Sequence, residues 1–234
     1  MSEIYEQPLF GIFITILAFQ LSKIIARKFK FAVFNPVLLS VVSIICFLVI
    51  FKIDFESYNI GGQYLGFLLG PTVVALGVLF YEKYEQIKAN ILPFVSAVFL
   101  GGTLSIISVS TIAIVLGAPE FILKSIAPKS VTTPIAVEIS KIIGGVPYIT
   151  AGIVIAVGIF GNAFGPAILR ALGIKNKNAI GAALGTASHG IGTARALDEG
   201  KLPGAYGGLA MCINGFLTAI FTPYIINIVL TLFA

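Results

Sequence analysis

Two stretches of this chain carry the residue types that chemistry needs. The richer is Leu184-Gly-Thr-Ala-Ser-His-Gly-Ile-Gly-Thr-Ala-Arg-Ala-Leu-Asp-Glu-Gly200, which holds the only histidine among 234 residues. Imidazole titrates near neutral pH, so His189 is a candidate ligand donor or proton carrier. Thr186, Ser188 and Thr193 place hydroxyls around it, and Gly190 and Gly192 leave backbone N–H groups open to a ligand. A half-helix starting near Gly192 would turn its positive end toward an anion. Arg195 adds a planar fork that fits a carboxylate, although Asp198 and Glu199 stand close enough in sequence to pair with it.

The second stretch is Ala127-Pro-Lys-Ser-Val-Thr-Thr-Pro-Ile-Ala-Val-Glu-Ile-Ser-Lys141. Pro128 and Pro134 forbid a regular helix through it. Lys129, Ser130, Thr132 and Thr133 set one cation and three hydroxyls on irregular backbone; helix capping and anion binding are both open to them. Glu138 and Lys141, three apart, suit an ion pair on one helical face. A third segment, Leu69-Gly-Pro-Thr-Val-Val-Ala-Leu-Gly77, offers Thr72 and free backbone groups but no charge. Asn35, Asn162 and Asn214 read as helix–helix hydrogen bonds.

Several chemistries find no support. Ser188 and His189 are neighbours, so they cannot serve each other as nucleophile and base. One histidine and two distant cysteines give no metal-site spacing. The glycine-rich run follows no predicted strand, so it is no dinucleotide fingerprint. The expectation is a binding protein that is not an enzyme, with no metal or cofactor. Cys46 and Cys212, inside apolar runs, read as buried free thiols.

The elements that must position these residues are membrane helices. The chain is 58% hydrophobic and 11% charged, where a soluble domain carries about 25% charged residues. Residues 31–51, 57–81, 89–119, 142–169 and 202–234 each lack Asp, Glu, Lys, Arg and His. A spanning helix needs roughly 20 mostly apolar residues, and continuous runs exclude the alternating segments of a β-barrel. Residues 7–22 are shorter, but Lys23 can snorkel and lengthen that helix. The net charge of +5 fits basic cytoplasmic loops and is not a nucleic-acid signal.

A weak two-fold repeat runs through the chain. Gly66, Gly70 and Gly77 recur as Gly181, Gly185 and Gly192, and Leu21-Ser-Lys-Ile-Ile25 recurs as Ile139-Ser-Lys-Ile-Ile143. Repeat A (8–117) reads as elements 8–28, 31–51, 60–81 and 91–117. Repeat B (120–233) reads as 120–143, 148–170, 178–198 and 204–233. The third element of each is interrupted, by Gly70-Pro71 in the first and by Gly185, Gly190 and Gly192 in the second. Re-entry of both third elements puts eleven of the fifteen Lys and Arg on one side, leaving Lys52, Lys83, Lys88 and Lys141 on the other, as the positive-inside rule prefers. The prediction is a single all-α integral membrane domain, 1–234, of about six transmembrane helices plus two broken re-entrant elements, in two inverted repeats. Such repeats hold their ligands where the breaks meet near the midplane. Gly181-xxx-Gly185 and Gly204-xxx-Gly208 permit close packing within the chain or in a homo-oligomer.

Pro128-Lys-Ser-Val-Thr-Thr-Pro-Ile-Ala-Val-Glu-Ile-Ser140 and Gly185-Thr-Ala-Ser-His-Gly-Ile-Gly-Thr-Ala-Arg-Ala-Leu197 resemble the LrgB/CidB family, as do Gly161-Asn-Ala-Phe-Gly-Pro-Ala-Ile-Leu-Arg170 and the segment from Leu69 to Gly77. The resemblance covers essentially the whole chain. It implies a multi-pass protein of the bacterial inner membrane, working beside a small hydrophobic LrgA/CidA-type partner. Members of the family are named antiholin-like or holin-like for effects on murein hydrolase activity and lysis. The plastid glycolate/glycerate transporter of plants is similar, and some bacterial members are implicated in pyruvate transport. The resulting expectation is a secondary transporter of small monocarboxylates. Thr186, Ser188, His189, Gly190, Gly192, Thr193 and Arg195 would face Lys129, Ser130, Thr132, Thr133 and Glu138 across the site, with Thr72 nearby. The alternative is a lysis regulator without a substrate of its own.

Overall fold

The computed structural model describes residues 5–29 and 34–233, apart from the side chains at 69, 70, 72, 73, 76, 79, 80 and 233. Among the described residues every regular element is helical. They are α1 (Pro8–Lys28), α2 (Pro36–Phe51), α3 (Phe55–Phe67), α4 (Leu69–Glu82), α5 (Tyr84–Lys88), α6 (Ile91–Val115), α7 (Glu120–Ile126), α8 (Thr133–Ile143), α9 (Pro147–Ala171), α10 (Lys177–Glu199) and α11 (Lys201–Phe233). α1, α6, α9 and α11 have the length and apolar composition to cross a membrane, and α2 is apolar but shorter. Large apolar side chains such as Leu92, Leu104, Phe160, Phe216 and Ile228 stand exposed along these helices, a surface suited to lipid chains and not to water. The chain is a multi-pass helical membrane protein.

The backbone divides into two compact units, Met1–Ala75 and Leu76–Ala234. In the first, α1 packs on α2 and α3. Asn35 opens α2 by accepting hydrogen bonds from the Val37 and Leu38 N–H groups, with Pro36 in the first turn where its missing N–H costs nothing. Asp54 opens α3 in the same way. The Ser57 N–H and hydroxyl that bind its carboxylate hold it below the usual carboxylate range. Gly70-Pro71, expected to break the third element, falls in the first turn of α4, and the break itself lies at Leu68. The expected start of the second element at 31 lies outside the described residues.

The second unit centres on α10 and α11. Their contact is backbone on backbone: a Cβ at Gly181 would lie 2.2 Å from the Pro203 carbonyl oxygen, and one at Gly185 would lie 2.0 Å from that of Gly207. The first small-residue pair is therefore used inside the chain, and Gly204 packs on Leu197 of α10. α9 and α6 pack on this pair.

Two expectations change. The span at 120–143 is two short helices, α7 and α8, because Pro128 and Pro134 bracket a segment, 127–132, that follows no helix. Cys46 and Cys212 are free, as expected, but exposed; on apolar helices a thiol is as well placed against lipid as in a core.

Candidate functional site

The segment 127–132 is anchored from below by buried hydroxyls. Ser125 accepts from the Val146 N–H at 2.7 Å, and the Thr150 hydroxyl donates to the Ser125 carbonyl at 2.9 Å and lies 2.7 Å from Ser140 Oγ. These bonds tie α7, α8 and α9 together, and Val131, Ala136, Ile139 and Val154 seal the same joint with apolar contact. On this support the Lys129 ammonium donates to Ser105 Oγ at 2.7 Å and to Ser130 Oγ at 3.0 Å, and the two hydroxyls stand 3.1 Å apart. Ser105 lies mid-way along α6. Lys129 therefore brings a full charge to the middle of a membrane-length helix. Among the described residues no carboxylate pairs with it.

Asn214, at the same level of α11, joins this segment to α10. Its Nδ2 donates to the Thr186 carbonyl at 2.9 Å and reaches that of Ser130 at 3.5 Å. Thr186 itself bonds back to Ala182.

Two residues beyond Thr186, α10 breaks. Ser188 (φ −133°, ψ 20°) and His189 (φ 43°, ψ −135°) leave the helical region before the helix resumes. A side chain held at positive φ outside the left-handed well costs about 1–3 kcal/mol and persists only when its surroundings over-determine it. Here they do. His189 Nε2 lies 3.0 Å from the Val154 carbonyl; a carbonyl only accepts, so this nitrogen carries the proton. The Asn162 amide donates to the Ile191 carbonyl at 2.8 Å, and Thr193 bonds the His189 carbonyl at 2.8 Å. Space for the break comes from α9: a Cβ at Gly158 would lie 2.9 Å from the imidazole, and one at Gly161 would lie 1.7 Å from Ser188 Oγ.

The structure thus sorts the expected residues. Lys129 and Ser130 gather with Ser105 and Asn214, linked to the Thr186 backbone. Ser188 and His189 are buried against α9, and Thr193 is buried next to Gly207 of α11, with Gly192 packed over Leu184 and Ser188. Gly190 faces Met211. Thr132 and Thr133, half-buried, open α8, and Thr132 makes no capping bond. Glu138 is exposed and paired with Lys141 at 2.7 Å. Arg195 bonds Asp198 at 3.4 Å and Glu199 at 3.2 Å, while the buried Glu199 also takes Arg170 of α9. Arg195 is thereby built into an ion cluster at the end of α10, separate from the Lys129 group. The Thr72 side chain lies outside the described residues. Ser105 was missed from sequence; the signal was the run Gly101-Gly-Thr-Leu-Ser105, small and polar in the middle of an otherwise apolar span.

A membrane helix bundle with a charge held at mid-span and two interrupted segments defines the class. The family follows from sequence. The chain belongs to the LrgB-like family, whose profile matches residues 15–228. It is 33% identical to a protein of Haemophilus influenzae, described as uncharacterized, over 93% of this chain and 94% of that one. YxaC of Bacillus subtilis, likewise uncharacterized, is 34% identical over 92% and 94%. The antiholin-like protein LrgB of Bacillus cereus is 32% identical over 92% and 94%. No solved structure matches.

Proposed function

We propose that this protein carries small monocarboxylate anions, of the glycolate, glycerate or pyruvate type, across the bacterial inner membrane, and that Lys129 anchors the carboxylate. The observation behind this reading is the Lys129 ammonium. It has three donors; two go to Ser105 and Ser130, and the third has no partner among the described residues. A cation held among apolar helices is costly without a counter-charge. A small carboxylate would supply that charge and accept the remaining N–H, with the Ser105 and Ser130 hydroxyls beside it. In this reading the halves 8–117 and 120–233 are inverted repeats, and a small LrgA/CidA-type membrane protein is the partner. Neither asks for covalent chemistry.

Uptake of labelled glycolate or pyruvate into proteoliposomes tests the reading, with and without the small partner. Saturable uptake that disappears in Lys129→Ala is expected; no saturable uptake in either preparation overturns it.

The antiholin-like name of the Bacillus cereus relatives favours a second reading, an antiholin-like regulator of murein hydrolase activity and lysis with no substrate of its own. It expects altered autolysis that survives Lys129→Ala. Autolysis effects that vanish with Lys129 would instead trace them to the anion site.

A further inference from the structure

α6 and α11 meet along a seam whose two ends differ in chemistry. The Phe94 and Tyr206 rings touch, with centroids 5.2 Å apart, and a Cβ at Gly102 would lie 2.2 Å from Asn214 Oδ1. Both pairs have the same separation in the chain, so the helices run parallel. The next steps of that register bring Ser110 level with Thr222.

On the N-terminal side of Asn214 the seam is closed by apolar packing of Ile87, Phe94, Val98, Ala205, Tyr206 and Ala210. On the C-terminal side it continues as hydroxyls. Thr218 and Thr222 follow Asn214 at successive turns, both buried, and each bonds only within α11 (Thr218 to Asn214 Oδ1 at 3.4 Å, Thr222 to the Thr218 carbonyl at 2.6 Å). On α6, Ser110 has no exposure, and its hydroxyl is the one buried side-chain polar atom without a partner among the described residues. Such a group is uncommon in a packed helix pair and calls for an explanation. Gly102, Thr103 and Ile106 of α6 and Leu217, Thr218 and Phe221 of α11 line a crevice at the level of Asn214, closed to less than a water molecule. An apolar cluster of Ile106, Leu123, Ala127 and Ile226 closes the seam on this side, with Ile106 level with Thr218 and Ile226 one turn past Thr222.

We infer that the seam between α6 and α11 is the route by which a small anion reaches Lys129, entering past Ile226 from the membrane face at the C-terminal ends of both helices. In the conformation described here the constriction is shut. Opening it hydrates Ser110 and leads along Thr222 and Thr218 to Asn214, whose amide contacts the Lys129 segment. The inference rests on Lys129 being the anion anchor.

The test is thiol accessibility in vesicles of defined orientation. In a C46S/C212S background, single cysteines replace Ser110, Thr222 and, as the control on the apolar side, Ala210. The probes are a small methanethiosulfonate bearing a sulfonate and its trimethylammonium counterpart. Ser110→Cys and Thr222→Cys should react with the sulfonate from one side only, and at least about tenfold faster than with the cation, since Lys129 sets the local potential. Lys129→Met should remove that preference, and Ala210→Cys should stay unreactive. Two results overturn the route: Ser110→Cys and Thr222→Cys reacting no faster than Ala210→Cys, or equal rates with both reagents. Saturable uptake with unreactive seam cysteines removes the route and leaves the carrier; a Lys129-dependent sulfonate preference without carboxylate uptake keeps the route and removes the monocarboxylate.

Discussion

The two interruptions in the second unit are made in opposite ways. The segment 127–132 is broken by its own sequence: Pro128 and Pro134 end one helix and start another, whatever surrounds them. The break at Ser188–His189 holds no proline, and its cause lies in another helix, where Gly158 and Gly161 clear the space and Asn162 and the Val154 carbonyl take up the polar groups. Their chemistry differs as well. At 188–189 the imidazole Nε2 and the His189 and Ile191 carbonyls are partnered. At 127–132 the strongest charge is left with two hydroxyls and no carboxylate. The break at 188–189 holds a shape; in the proposed reading the one at 127–132 holds the anion.

The largest effect expected from this contrast is on uptake. Lys129→Ala should bring it to the background of empty vesicles. His189→Gly, which removes the imidazole but suits φ 43°, should keep uptake within about tenfold, because the strain is relieved. Equal losses in the two variants, measured as initial rates at matched protein, would erase the distinction drawn here.

Next in size is stability. Gly161→Ala sets a methyl against Ser188 and should cost about 1–3 kcal/mol, as overpacking does. It should lower the thermal midpoint in detergent more than Gly152→Ala on the same helix, where a Cβ meets nothing. Asn214→Leu removes the bond to the Thr186 carbonyl, and should cost about 1 kcal/mol, the scale of interhelical hydrogen bonds in membranes, read as a lowered thermal midpoint in detergent. The smallest effect belongs to Arg195→Gln. Its ion pairs are half-exposed at most on the arginine side, Arg170 still holds Glu199, and uptake should change less than about threefold.

Much of this was legible from residue order and some was not. Charge-free runs gave the membrane class and the helical content, and the prolines gave the break at 127–132. The motif from Pro128 to Ser140 carried the family. The positions of Arg195 and Lys129 relative to each other were not legible. Both are cations in polar stretches, and only packing decides that one meets Asp198 and Glu199 while the other meets hydroxyls. Ser105 was hidden for the same reason, since a serine in an apolar helix acquires meaning from what reaches it. The break at 188–189 was sensed from glycines in its own helix, of which Gly192 does pack against Ser188, but Gly158 and Gly161, which also make room for it, are on α9.

The glycine contact between α10 and α11 has a consequence for how the protein is made. α10 carries Lys177, His189, Arg195, Asp198 and Glu199 and is not among the helices apolar enough to enter a bilayer unaided. Part of the surface that shelters it is on α11, which follows it in the chain. Until α11 is complete, α10 has no stable home in lipid. A protein cut short before Gly207 would lose the backbone surface on which Gly185 packs and leave a polar, strained helix without that cover.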